Sequence, residues 1–478
     1  MGAEPRRLQP AVIAALAAGL LLRLWFLRHA PLVSGDSLVY GGIAKNWIAR
    51  GVYGFYDDGA GGISPTLIRL PGYPMFLAGC FRLFGMEHYA AVRYVQVLLD
   101  LVTCGVAAAT ARRLFGQRAG IAALWVAVLC PFTANYSAAV LTETLVLLTM
   151  ALAFYGIIAW RDAGAGWNGW LWLVAGALGY SLLLRPEQGL LAVAMLPAML
   201  WIAVREHRRV LPVLACASCI GLMLLPWTVR NWRTFHVFQP LAPRYANDPG
   251  EDPPIGFAWW YRTWAIDFAS TDEVYWNYNG DRINPAMIPE RAFDAGSPEG
   301  TEALRRETLA VLHRYNENAR QTLETEVWFT DLAWRRVRAH PAEYYVLLPV
   351  GRLLDMSLRP RTEMMAVPLE WWRWREHPEA SLIAALYATV NLMYLCIGAA
   401  GWWCWRRLRP FPGPAVAWAL ATTVLLRCAL LLTIDNSEPR YTLEFFPVIF
   451  VCAGALFEAA WRRSAAATAA ETAAAQSE

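Results

Sequence analysis

The sequence has almost no lysine: Lys45 is the only one among 42 basic residues, so its cationic chemistry is that of guanidinium groups. Charge of either sign is scarce as well, at 17% of 478 residues against 57% hydrophobic. A soluble globular chain carries about a quarter of its residues charged, so that class is excluded. A net charge of +4 spread over short loops excludes a nucleic-acid binder. The seven histidines, at 29, 88, 207, 236, 313, 340 and 377, show no ligand spacing, which argues against a histidine-based metal site. The nine cysteines fall in or beside apolar runs and make no disulfide framework. Cys216 and Cys219 form a C-x-x-C inside such a run and read as small residues packing in a helix.

What the chain has is apolar length. The runs at 11–27, 90–111, 119–132, 145–160, 170–184, 189–204, 210–227, 382–405, 415–432 and 445–460 read as about ten spans of an all-α polytopic membrane protein. No A-x-A cleavage pattern follows the first run, so it reads as a span and not as a signal peptide. Arginines gather at alternate run ends: 112, 113 and 118, then 205–209, then 406, 407 and 409, then 462 and 463. The positive-inside rule then places both termini in the cytoplasm and the acid-bearing loops outside. The 24 tryptophans and 19 tyrosines suit interfacial belts.

The expected organisation has four parts. Residues 1–227 form a membrane module whose first outer loop, 34–89, carries amphipathic segments. Residues 228–340 form a small polar, α-rich outer domain in which Ser297 and Pro298 read as N-cap and N1 of a helix. Residues 341–463 hold an apolar stretch, 341–358, broken by Arg352 and Asp355, which reads as interfacial or re-entrant, followed by the last spans. Residues 464–478 read as a disordered Ala/Thr/Ser tail. Asp57 and Asp58, beside Gly59, read as a solvated turn. Arg23, inside the first span, either snorkels outward or reaches a lipid phosphate. Trp259, Trp260 and Trp264 form an interfacial aromatic cluster or a stacking surface for a sugar.

The outer loops collect Asp36, Arg69, Glu143, Arg185, Glu187, Arg230, Glu438 and Arg440 near span ends. Guanidinium forks bind phosphate oxygens in pairs, and a carboxylate takes a proton from a hydroxyl. Such a mixture suits a phosphate-bearing ligand plus a base.

The motifs G-D-S-L-V-Y at 35–40, P-T-L-I-R-L-P-G-Y-P-M-F-L-A at 65–78 and L-T-E-T-L at 141–145 occur in that order. They are followed by R-P-E at 185–187, P-W-T-V-R-N at 226–231 and E-P-R-Y-T-L-E-F-F-P at 438–447. This pattern resembles bacterial GT-C glycosyltransferases of the family 39 type, relatives of protein O-mannosyltransferases and of the aminoarabinose and galacturonic acid transferases that modify lipid A. The resemblance runs from residue 11 to about 460 and implies a GT-C helix bundle in the bacterial inner membrane with a periplasmic active site. It implies a sugar donor carried on a polyprenyl phosphate and a glycan, lipid or protein acceptor, with inverting transfer to a hydroxyl.

On the resemblance, Asp36 matches the catalytic base, and Glu143 the second-loop acid that orients the acceptor or holds a divalent ion. Arg69, Arg185, Arg440 and Tyr441 match contacts to the donor phosphate, and Tyr73, Glu187 and Arg230 substrate-positioning residues. The chain has one acid at G-D-S where some relatives have a pair, so no metal ligand is assigned and Mg2+ or Mn2+ stays open. Two other classes remain beside the transferase: an O-antigen polymerase or ligase, and a lipid-linked sugar transporter. The first-loop acid with its R-L-P-G-Y-P corner disfavours the former, and the gathering of acids at one surface instead of the midplane disfavours the latter.

Overall fold

The structure is a computed structural model that describes residues 4–33, 35–57, 61–207, 209–365 and 367–477. Asp58 and Gly59 of the expected turn lie outside the described residues. The chain forms two compact units: residues 1–249, 393–425 and 443–478 make the first, and 250–392 with 426–442 the second. The second unit thus begins at residue 250 and takes in the 341–358 stretch.

The first unit opens with α1 (Glu4–His29) and α2 (Asp36–Arg50). Helix α2 starts after Gly35 at φ 51° and stops at Gly51 at φ 72°, whose N–H returns to the Trp47 carbonyl. These are the left-handed positions that glycine adopts without a Cβ penalty. An antiparallel hairpin follows, β1 (Gly54–Asp57) with β2 (Gly62–Pro65), and then α3 (Gly72–Phe84). Next come α4 (Tyr89–Phe115), α5 (Gln117–Val128), α6 (Pro131–Ser137), α7 (Glu143–Asp162), α8 (Gly169–Leu184), α9 (Gly189–Ile202) and α10 (Leu211–Phe235). In the second unit, α11 (Ile255–Arg262) and the single turn α12 (Phe268–Ser270) precede α13 (Pro298–Asn318), α14 (Leu323–Ala339) and α15 (Leu348–Leu358). The chain ends with α16 (Pro378–Arg407), α17 (Pro414–Leu431) and α18 (Phe446–Ser477).

Among the described residues, eight helices are long and apolar enough to cross a membrane, or nine if a bent pair counts as one. The protein is a multi-pass membrane protein. Two of the expected spans fall short. Helix α8 has 16 residues, about 24 Å of helix against a hydrocarbon core of about 30 Å. Helices α5 and α6 meet at a 57° bend, where Pro131 has no N–H with which to continue α5. The tail after 464 differs from expectation too: its alanines, the strongest helix formers, prolong α18 to Ser477.

Arg23 neither snorkels nor faces lipid. It is fully buried and pairs with Asp100 of α4 at 2.5 Å. Its Nη1 donates to the carbonyls of Gly19 and Val128 at 2.9 and 2.8 Å. The Val128 carbonyl is the last of α5, so one guanidinium ties α1 and α4 to the break before α6. In hydrocarbon an unpaired carbonyl costs several kcal/mol, which is why a polar side chain is worth burying there.

The second unit has its own aromatic core. Trp260 and Trp264 are fully buried in it, and Phe257 stacks on Tyr278 at 3.8 Å between centroids. Both tryptophans are core residues here, not a sugar-stacking surface. Ser297 caps α13 as its sequence suggests, accepting from the Gly300 N–H, with Pro298 at the first helical position. Arg352 of α15 is buried and donates to the carbonyls of Arg262 and Ala265, so the 341–358 stretch packs within this unit.

Candidate active site

Asp36 is the first residue of α2, where the helix dipole favours a carboxylate. Arg69 lies in the corner before α3, and its Nη2 donates to Asp36 Oδ1 at 2.8 Å. Both side chains remain about a quarter exposed, at 27% and 24%, so this pair is reachable from outside.

The corner is held from several directions. Tyr53 donates its hydroxyl to the Arg69 carbonyl at 2.9 Å. Asp248 accepts from the Leu67 N–H at 2.7 Å. Arg230 donates to the carbonyls of Thr66 and Tyr53 at 2.7 and 2.8 Å, with its guanidinium over the Tyr53, Trp227 and Phe235 rings. Arg230 therefore clamps the loop that carries Arg69 and spends its donors on that backbone and on Asn231 Oδ1. Gly72 begins α3 against the end of α8: a Cβ there would lie 2.7 Å from the Leu183 backbone, and Tyr180 donates to the Gly72 carbonyl at 2.9 Å. The Pro-Gly-Tyr-Pro corner is glycine-bearing because it docks on backbone, one residue short of Arg185's helix end.

A second ion pair lies behind the first. Arg185, just past α8, donates to Glu143 Oε1 at 2.5 Å and to Thr142 Oγ1 at 2.7 Å, with Glu187 at 3.7 Å. Glu143 is only 3% exposed. A short parallel bridge brings the two loops together: Leu32 pairs with Ala139, four residues before Asp36 and four before Glu143.

Tyr40 lies beside the first pair. It follows Asp36 by one helical turn, is 9% exposed, and its ring lies 5.8 Å from the Arg69 guanidinium carbon. Burial pushes its phenol up to about 12; Arg69 offsets this in part, and Asp36, Arg185 and Glu143 also act on it. All four charges are thus within electrostatic range of one hydroxyl. Tyr73 packs edge-on behind Tyr40, at 5.1 Å between centroids, and is fully buried. Its hydroxyl is donated to Gln96 at 2.7 Å, and Gln96 donates to the Ala139 carbonyl at 2.6 Å. Tyr73 supports Tyr40 from the core and presents no free hydroxyl of its own.

Arg440 and Tyr441 belong to the second unit, in a polar cluster on Glu438. That carboxylate pairs with Arg440 and accepts from the Tyr441 hydroxyl at 2.8 Å and from Asn436 at 2.9 Å. Arg427 donates to the Tyr441 carbonyl at 3.0 Å. Sequence reading missed Tyr40, Thr142, Gln96 and Asp248. Tyr40 alone left a signal, its i, i+4 spacing from Asp36.

Among the described residues, no three His, Cys, Asp or Glu side chains are grouped to hold a metal ion. Asp36 and Glu143 are each matched by a guanidinium, which is a poor start for a hard dication needing about six oxygens.

The sequence profile described as dolichyl-phosphate-mannose-protein mannosyltransferase matches residues 68–229. That segment contains Arg69, Tyr73, Glu143, Arg185 and Glu187 and stops one residue before Arg230. A solved oligosaccharyltransferase from Archaeoglobus fulgidus, tethered to an acceptor peptide, shares the fold at a TM-score of 0.50 and 11% identity, over 93% of this chain and 49% of that one. Residues 68–229 are thus similar to the protein O-mannosyltransferase family, and the chain shares the helical fold of the oligosaccharyltransferase. The chain is also similar to ArnT from Cupriavidus metallidurans bound to undecaprenyl phosphate, at 18% identity and a TM-score of 0.39, over 88% of this chain and 76% of that one. It spans about half the length of the archaeal enzyme. No curated protein sequence matches the chain.

Proposed function

We propose that the protein transfers a sugar from a polyprenyl-phosphate donor to an acceptor hydroxyl with inversion, and that Asp36 is the general base. The observation that carries this reading is the exposed Asp36–Arg69 pair at 2.8 Å, fixed at the start of α2 and backed by the buried Glu143–Arg185 pair. In the reaction, the acceptor oxygen attacks the anomeric carbon as the bond to the phosphate oxygen breaks. The acceptor proton passes to Asp36, and the bonding electrons leave on the lipid phosphate. Charge rises on the phosphate oxygens in the transition state, where Arg69 is placed to meet it.

The pairing of base and phosphate ligand has a chemical use. While Arg69 holds Asp36, the carboxylate is a weak base; a donor phosphate that draws the guanidinium away leaves Asp36 more basic when the acceptor needs it. Glu143, held by Arg185 and Thr142, orients the acceptor, and Arg185 and Glu187 line the same side. Arg440 and Tyr441 are organised by Glu438 within the second unit, and the resemblance gives them a phosphate-binding role. The arginine pattern at the span ends supports a bacterial inner-membrane setting with cytoplasmic termini and a periplasmic site. The acceptor is a glycan, a lipid or a protein.

The test is transfer from a panel of radiolabelled polyprenyl-phosphate sugars into a membrane extract, comparing wild type with Asp36→Asn. Loss of transfer with retained lipid-phosphate binding supports the assignment. An active Asp36→Asn enzyme removes it.

A further inference from the structure

Tyr40 is a buried phenol that the mechanism above does not use. Its ring is fully accounted for, edge-on to Tyr73 and beneath Arg69. Its hydroxyl is not: it makes no hydrogen bond with any described residue, although the residue is more than nine-tenths buried. The hydroxyl oxygen itself is not sealed in the core, so a ligand can reach it. Glycine at the next position reinforces the fixed geometry. Tyr89 packs its hydroxyl end directly onto Gly41, where a Cβ would clash, so this turn of α2 is seated against α4.

The local charges say what the hydroxyl awaits. Asp36 and Glu143 are each engaged by an arginine. A phenol held well above neutrality stays protonated and can donate. The ligand group that needs one more donor beside Arg69 is an oxyanion.

We propose that Tyr40 is a substrate-contacting residue whose hydroxyl donates a hydrogen bond to a phosphate oxygen of the polyprenyl-phosphate donor, beside Arg69. This rests on the transferase reading of the same site. The phenol gives up no proton: it shares its hydrogen with the oxygen that receives the bonding electrons when the anomeric bond breaks. The contact strengthens as that charge develops, so it acts on kcat as well as on binding.

The experiment uses the full chain in detergent with undecaprenyl phosphate as the binding probe, and steady-state transfer where a donor is in hand. Tyr40→Phe keeps the ring and its packing. It is expected to weaken undecaprenyl phosphate binding by about 10- to 100-fold, the range for a hydrogen bond to a charged group, and to lower kcat while the acceptor KM stays put. Tyr56→Phe, on the exposed hairpin, is the control. Tyr40→3-fluorotyrosine keeps the hydroxyl and makes it a better donor, so it is expected to bind the lipid phosphate more tightly, an effect that a packing role would not produce.

Wild-type affinity in Tyr40→Phe, or a loss confined to the acceptor KM, overturns the proposal. Asp36→Asn separates the two readings. If it still transfers sugar, the base assignment falls, and the binding data on Tyr40 decide this inference independently.

Discussion

Arg69 donates to Asp36 at 2.8 Å across 33 residues of sequence, and both remain a quarter exposed. The pair is a surface ion pair by solvent access, and such pairs contribute little to stability. On the proposed mechanism its value lies in catalysis. Asp36→Asn should lower transfer by about 100- to 10,000-fold, the range for a general base, with a melting temperature within a few degrees of wild type. A rate loss tracking a large fall in melting temperature would make Asp36 structural.

The Glu143–Arg185 pair should behave in the opposite way. Glu143 is 3% exposed, so removing its partner strands a charge. Arg185→Met should destabilise the protein by about 3–5 kcal/mol, and Arg185→Met with Glu143→Gln should recover much of that. Thermal unfolding in detergent reads both. If the double variant is no more stable than the single one, the pair's charges are not what hold these helices.

Much of the helix pattern and half of the site are legible in the sequence, for physical reasons. Apolar length announces a span, and a glycine on either side of 36–50 announces α2. Asp36 and Arg69 stand out because charge is scarce near span ends. Asp100 does not stand out: a single acid inside an apolar run has no local signature of its partner, which is 77 residues away in α1. Nor do Gln96 and Asp248, which bond backbone that only the fold brings near. Apolarity alone does not reveal that α8 is short or that α5 bends into α6.

The buried Arg23–Asp100 pair gives a stability prediction within the membrane. Asp100→Ala leaves a guanidinium buried at 0% exposure with only carbonyls and Cys104 for company. A loss of about 3–5 kcal/mol is expected, seen as lowered thermal stability and faster proteolysis near the α5–α6 break. Asp100→Glu should retain part of the stability. Unchanged unfolding in Asp100→Ala would mean that the carbonyls alone satisfy Arg23.

Chelation tests the donor set. Both candidate carboxylates are charge-matched by arginine, and no three His, Cys, Asp or Glu side chains among the described residues are grouped to hold a metal ion. Transfer is expected to be the same in EDTA as without it. A rate lost in EDTA and restored by Mg2+ or Mn2+ would assign a metal to this site and recast Glu143 as its ligand.

Asp355 sets a pH dependence in the second unit. Burial raises its carboxyl to about 6, against the pull of Arg359 and the hydrogen bond from Ser437 at 3.0 Å. An unfolded Asp titrates near ~3.9. The folded state thus holds its proton to higher pH than the unfolded state. Below about pH 4 both are protonated and nothing is lost; between about 4 and 6 the unfolded chain ionises first and stability falls as pH rises; above 6 the loss is constant. Two units correspond to about 3 kcal/mol. Asp355→Asn should abolish this slope and leave the protein more stable at pH 7 than wild type, as read by thermal unfolding from pH 4 to 8. A slope that survives the substitution assigns the titration to another buried acid.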